Sequence, residues 1–209
     1  MHISEGVLSP GVLIAGAALT TAGVAVGLKN LDHEEIPSIG ILSAAFFVAS
    51  LVHVPIGPSS AHLILNGLLG LILGWKAFPA ILIGLVLQAL LFQFGGITTL
   101  GVNTLNMALP AVMCYYLFGW GMRLGTKQAL FTVTAFACGA CSILISGVLL
   151  GVCLYLTGEA FLPAAKLVVA AHAPVMLIEG LLTAACALFL RRVKPELLEG
   201  QYGPRLSSS

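Results

Sequence analysis

A histidine directly behind the initiator residue gives the start of this chain a chemistry that an isolated imidazole lacks. The α-amine of Met1, the backbone amide nitrogen of His2 and the His2 imidazole can close two adjacent chelate rings on a single cation. Three nitrogens then come from two residues. The arrangement requires a bare terminus. The bulk of His2 disfavours excision of Met1, and no basic stretch followed by an apolar run and a small-residue cleavage site marks a removable signal peptide. Met1 is therefore expected at the mature terminus, with residues 1–9 as a metal-binding loop.

A fourth nitrogen is offered by His62, within His53-Val54-Pro55-Ile56-Gly57-Pro58-Ser59-Ser60-Ala61-His62. Pro55, Gly57 and Pro58 predict a tight turn there. An amine, a deprotonated amide and two imidazoles make four nitrogens in a plane, which Ni(II) and Cu(II) accept best. Zinc prefers a tetrahedral cage. The plainer alternative is that His62 caps a helix or bonds a loop carbonyl and that His2 is an incidental surface residue. His53 reads as an outer-shell donor or a packed neutral side chain. His33 lies in the charged loop around Asp32, Glu34 and Glu35 and reads as solvated.

The elements that must position these groups are membrane helices. Hydrophobic residues make up 59% of the 209-residue chain and charged residues 8%, against about 25% charged in ordinary soluble domains. The expected class is an all-α polytopic membrane protein with one integral-membrane domain over residues 1–209. A spanning helix needs about 20 apolar residues, and residues 10–28, 36–54, 78–94, 105–122, 128–155 and 164–190 qualify, with 59–75 as a shorter seventh segment. Gly67, Gly70 and Gly74 on one face of that seventh segment predict a buried central helix. Pro110 and Pro174 predict kinks.

With seven transmembrane helices, Lys29, Lys76, Arg123, Lys127, Arg191, Arg192, Lys194 and Arg205 share one side and Lys166 alone takes the other. The positive-inside rule then puts the C-terminal tail, residues 191–209, in the cytoplasm and the N-terminus outside. Trp75 and Trp120 fit an aromatic belt at the cytoplasmic interface. A re-entrant seventh segment would instead leave six spans and Met1 inside.

Other polar groups within the apolar sequence need a reason to be there. Glu179, the one acid inside the spans, lies seven positions after His172 on nearly the same helix face. It can pair with His172, satisfy polar loop residues, relay a proton, or bond a neighbouring helix. The run Gly95-Gly96-Ile97-Thr98-Thr99-Leu100-Gly101-Val102-Asn103-Thr104-Leu105-Asn106 interrupts two spans. It reads as a wall over the site, with Asn103 and Asn106 as hydrogen-bond donors, or as a glycine-rich turn. Cys114, Cys138, Cys141, Cys153 and Cys186 read as small packing residues, and Cys138 with Cys141 lacks the second pair of a metal site. No GxxxxGK[ST] loop is present to hydrolyse ATP.

The start Met1-His2-Ile3-Ser4-Glu5-Gly6-Val7-Leu8, the turn Gly57-Pro58-Ser59-Ser60-Ala61-His62, the run Asn66-Gly67-Leu68-Leu69-Gly70 and the Gly95 to Thr104 segment together resemble one family. They are similar to the CbiM/NikM-type substrate-binding membrane subunits of energy-coupling factor importers for nickel or cobalt. The resemblance implies a helical bundle whose N-terminal loop brings Met1 and His2 to a planar nitrogen site with His62. The residues themselves offer His53, Ser60, Asn103, Asn106 and Glu179 as outer-shell candidates around such a site. The resemblance also implies two cytoplasmic ATPase subunits, a transmembrane coupling subunit and a small additional membrane subunit, all in a prokaryotic inner membrane. The lipid bilayer is the surrounding partner, with no nucleic acid and no cofactor. Ni(II) is the expected substrate, on the likeness of the His62 turn to nickel-type members, with Co(II) as the alternative. A competing function is a self-sufficient proton-linked permease using His172 and Glu179.

Overall fold

The computed structural model describes residues 2–29, 31–56, 59–122 and 127–198, with backbone alone over 53–56, 59–62 and at 122. Met1, Gly57, Pro58, Arg123 and Arg205 lie outside the described residues, as do the side chains of His53, Ser60 and His62. Eight α-helices follow in chain order: α1 Pro10–Lys29, α2 Ile36–Ala49, α3 Asn66–Leu73, α4 Ala77–Phe92, α5 Leu100–Phe118, α6 Gln128–Thr157, α7 Leu162–Ala171 and α8 Ala173–Val193. Between α2 and α3 the chain forms an antiparallel hairpin of β1 His53–Ile56 and β2 Ser59–His62.

Four helical stretches among the described residues are long and apolar enough to cross a membrane: Pro10–Lys29, Asn66–Phe92, Gln128–Thr157 and Glu159–Val193. Three local features depart from the expected segment bounds. α2 stops at Ala49 and spans about 21 Å for its 14 residues, because the chain leaves the helix for the hairpin rather than continuing to Val54. The seventh segment is helical only from Asn66, since residues 59–62 pair as a strand. α5 starts at Leu100, five positions earlier than its apolar run, so that Asn103, Thr104 and Asn106 belong to its first two turns. The Pro174 prediction is met by a break at His172 between α7 and α8, whereas α5 continues through Pro110.

Close backbone approach holds the bundle together. All eight residues of α3 are buried. A Cβ on Gly67 would stand 2.6 Å from the Gly139 Cα of α6, and one on Gly70 would overlap the Ala111 carbonyl oxygen of α5. Glycine is needed at both because helix backbones meet there. α1 packs its small-residue face, Gly16, Thr20, Gly23 and Gly27, against α5 and the α3–α4 joint, and Thr20 Oγ1 donates to the Gly101 carbonyl at 2.6 Å. Its Ile14, Leu19, Val26 and Leu28 stay exposed, as expected of a lipid-facing surface. These apolar outer faces identify a multi-pass membrane protein.

At one end of the bundle, Lys76 pairs with Glu35 and Trp75 Nε1 donates to Tyr116 Oη at 3.0 Å. Burial draws the Glu35 carboxyl upward, but hydrogen bonds from Lys76 and the Asp32 N–H, with the Lys76 charge, outweigh it and hold the group below its usual value. A carboxyl lowered in the folded state stabilises fully above its unfolded pKa, and that contribution disappears as pH falls through the folded pKa. Lys76→Met is expected to flatten the acid limb of a melting-temperature profile in detergent. Gly70→Ala should lower stability by about 1–3 kcal/mol through overpacking, while Gly40→Ala, facing open space on α2, should leave thermal unfolding unchanged.

Candidate functional site

The N-terminal segment is stitched into the bundle by a two-way backbone clamp. Asn103 on α5 accepts from the Ile3 N–H at 3.0 Å and donates to the Ile3 carbonyl at 3.1 Å, as a neighbouring β-strand would. A further bond from Asn103 Nδ2 to Thr99 Oγ1, 3.2 Å, fixes the amide. Ile3 and Leu8 bury their side chains with Val102, Leu150, Leu154 and Ala165. Glu5 accepts from the Thr98 N–H at 3.2 Å, and the Ser9 N–H reaches Thr157 Oγ1 at 3.4 Å. The terminal segment, the α4–α5 loop and the end of α6 therefore share one face.

His2 is held beside this clamp. Its ring lies nearly parallel to Phe94, with centroids 6.4 Å apart and 15° between planes. A Cβ on Gly95 would come within 3.0 Å of Asn103 Nδ2 and 3.7 Å of His2 Nδ1. Gly95 also has φ +80°, where a side chain is strained. The Gly-Gly pair thus serves as a close-fitting floor under His2, and the Glu5 side chain occupies the space a Gly96 side chain would need.

A second constellation forms around the hairpin. Its register pairs His53 with His62, so the two histidines stand opposite each other at the open end of the strands. Immediately beyond, the backbone N–H groups of Ile64 and Leu65 both bond the Glu179 carboxylate, the latter at 3.0 Å to Oε1 and 3.1 Å to Oε2. Leu65 adopts φ +57° ahead of α3. Glu179 is fully buried. Of its four sequence readings, the structure selects satisfaction of the loop: the carboxylate anchors the chain two and three residues after His62. It does not pair with His172, which donates from Nδ1 to the Val168 carbonyl.

Among the candidate residues, His2 and Asn103 are brought together, and Glu179 is brought to the backbone that follows His62. Asn106, one turn along α5 from Asn103, is buried and accepts from Cys153 Sγ at 3.6 Å. Among the described residues no group of three or more His, Cys, Asp or Glu side chains converges on one point. The chemistry available at the described end of the site is that of the His2 imidazole on an immobilised main chain.

Residues 2–197 match the family model for the cobalt uptake substrate-specific transmembrane region, CbiM. The chain belongs to the CbiM family. A Haemophilus influenzae relative named as a metal transport protein is 43% identical over 201 residues, covering 95% of this chain and 97% of that one. The fused nickel transport protein NikMN of Rhodobacter capsulatus is 35% identical over 138 residues, covering 61% of this chain and 40% of that protein. A crystal structure of a transition metal transporter superposes with TM-score 0.76 at 28% identity, covering 97% of this chain and 98% of that one. Nearly the whole of this CbiM-family chain thus matches the family's substrate-specific transmembrane region for cobalt uptake.

Sequence reasoning missed Ile3, Glu5 and Phe94 as parts of the site. Ile3 acts through its backbone, which no residue type announces, and Glu5 reads as an ordinary loop acid until Thr98 is placed beside it. Replacing Asn103 by Leu strands the Ile3 N–H and carbonyl, at about 1–3 kcal/mol for each unpaired group. Calorimetric titration with Ni(II) is expected to show affinity at least tenfold weaker in Asn103→Leu, with the helical circular dichroism unchanged.

Proposed function

We propose that this chain captures Ni(II), with Co(II) as an alternative substrate, at a planar nitrogen site formed by the Met1 amine, the His2 amide and imidazole, and the His62 imidazole. The observation that carries the reading is the Asn103 clamp on Ile3. It fixes the peptide immediately after His2 at bundle depth, and an immobilised main chain is what a chelate through backbone nitrogens requires. Glu179 serves the other half by anchoring Ile64 and Leu65 behind His62. His53 in β1 and Ser60 in β2 are the outer-shell candidates on the hairpin.

In this reading the chain is the substrate-specific subunit of an ATP-driven energy-coupling factor importer in a prokaryotic inner membrane. Two cytoplasmic ATPase subunits supply hydrolysis, a transmembrane coupling subunit transmits it, and a small additional membrane subunit completes the complex. Seven spans with Met1 outside and the tail inside put the capture site on the external medium. The lysine and arginine asymmetry supports that orientation. Binding expels protons from the terminal amine and the His2 amide, so capture strengthens as pH rises.

Metal titration of the purified protein with and without one added N-terminal alanine tests the site. The extended form is expected to lose the four-nitrogen visible spectrum and at least a hundredfold in Ni(II) affinity, and His62→Ala to retain a weaker terminal chelate. An unchanged spectrum in the extended form would sink the terminal-amine site. Uptake that persists with inactivated ATPase subunits would favour a self-sufficient permease.

A further inference from the structure

The α6–α8 interface carries a line of polar groups through an otherwise apolar helix pair. From α8 and its N-terminal joint come His172, Glu179 and Thr183, and from α6 come Ser142, Ser146 and the small residues Gly139 and Gly147. α3 adds Asn66, whose Nδ2 donates to Ser146 Oγ at 3.2 Å. Polar groups inside membrane helices either bond neighbouring helices or line a route for something polar. Helix-bonding groups are paired. Here His172 Nε2, Asn66 Oδ1 and Thr183 Oγ1 are buried with no hydrogen-bond partner among the described residues.

His172 is the group with ligand chemistry. The Val168 carbonyl can only accept, so the Nδ1 of a neutral ring bonded to it carries the ring hydrogen. Nε2 is then left with its lone pair outward. It is the tautomer of a metal-ligating imidazole, oriented by a carbonyl behind it. The residue is 7% exposed and sits at the break between α7 and α8, with its ring in van der Waals reach of Gly147 on α6. Asn66 Oδ1, a second unsatisfied acceptor, is carried by the amide bonded to the adjacent Ser146. A neutral imidazole nitrogen with its lone pair free suits a borderline divalent cation. The Glu179 carboxylate two helical turns further along lends that charge a favourable field.

We infer that the α6–α8 seam holds a second, transit site for the imported divalent cation, with His172 Nε2 as its nitrogen ligand. The inference rests on the capture function proposed above and separates capture from passage. The cation leaves the N-terminal chelate, is held in exchange by His172, and passes on; no bond other than coordination bonds forms or breaks. One neutral imidazole holds the metal weakly enough to release it.

The test compares the wild type with His172→Gln, which keeps an amide N–H for the Val168 carbonyl but lacks the imidazole nitrogen, and with His172→Phe. Radiolabelled Ni(II) binding to the purified chain and Ni(II) uptake by vesicles bearing the full transporter are measured for each. Equilibrium capture is expected within twofold of wild type in both variants, with the maximal uptake rate at least tenfold lower and half-saturation unchanged. Wild-type uptake rates in His172→Gln would overturn the transit site alone, and so would parallel loss of capture and uptake in both variants. A wild-type chain that binds neither Ni(II) nor Co(II) would overturn the capture function, and the transit site with it.

Discussion

The exchange of two hydrogen bonds between Asn103 and the backbone of Ile3 is the constraint from which the rest of the site follows. In an apolar bundle a backbone N–H and carbonyl outside regular structure must find partners. Asn103 supplies both with one side chain and is itself fixed by Thr99. The clamp explains why Gly95 has no side chain, why Glu5 lies where it does, and why His2 has so little freedom. α1, tied to α5 through Gly16 and Thr20, turns this local clamp into a rigid relation between the chain start and the bundle.

Much of the bundle was legible in the sequence because its determinants are local. Pro10 starts α1, apolar runs set α4 and α6, and glycine spacing marked α3 as central before any contact was known. The hairpin was not legible, since strands of four residues with a proline in one of them carry little pattern. What fixes them is their mutual register and the carboxylate of Glu179, which lies 115 positions beyond the Ile64 N–H it accepts from. The early start of α5 was hidden for a related reason. Asn103, Thr104 and Asn106 read as loop, yet they lie on the inner face of a helix, where they bond Ile3, the Leu100 carbonyl and Cys153.

One buried amide of α5 and the buried acid of α8 divide the work. Asn103 and Glu179 spend their polarity on backbone, one on the segment after His2 and one on the segment after His62. Each candidate metal-binding stretch is thereby tied down at its main chain. This is economical in a membrane, where a clustered set of unpaired charges would be costly in the metal-free state.

The bonds that place the terminal segment link Glu5 to Thr98, Ile3 to Asn103 and Ser9 to Thr157, separations of 93, 100 and 148 residues. During synthesis at about 5–20 residues per second, the first peptide made waits many seconds for its partners to enter the membrane. Contacts of such long range carry the largest closure cost and form late. The part of the polypeptide that emerges first is therefore among the last to reach its native place, after α1, α4, α5 and α6 have docked.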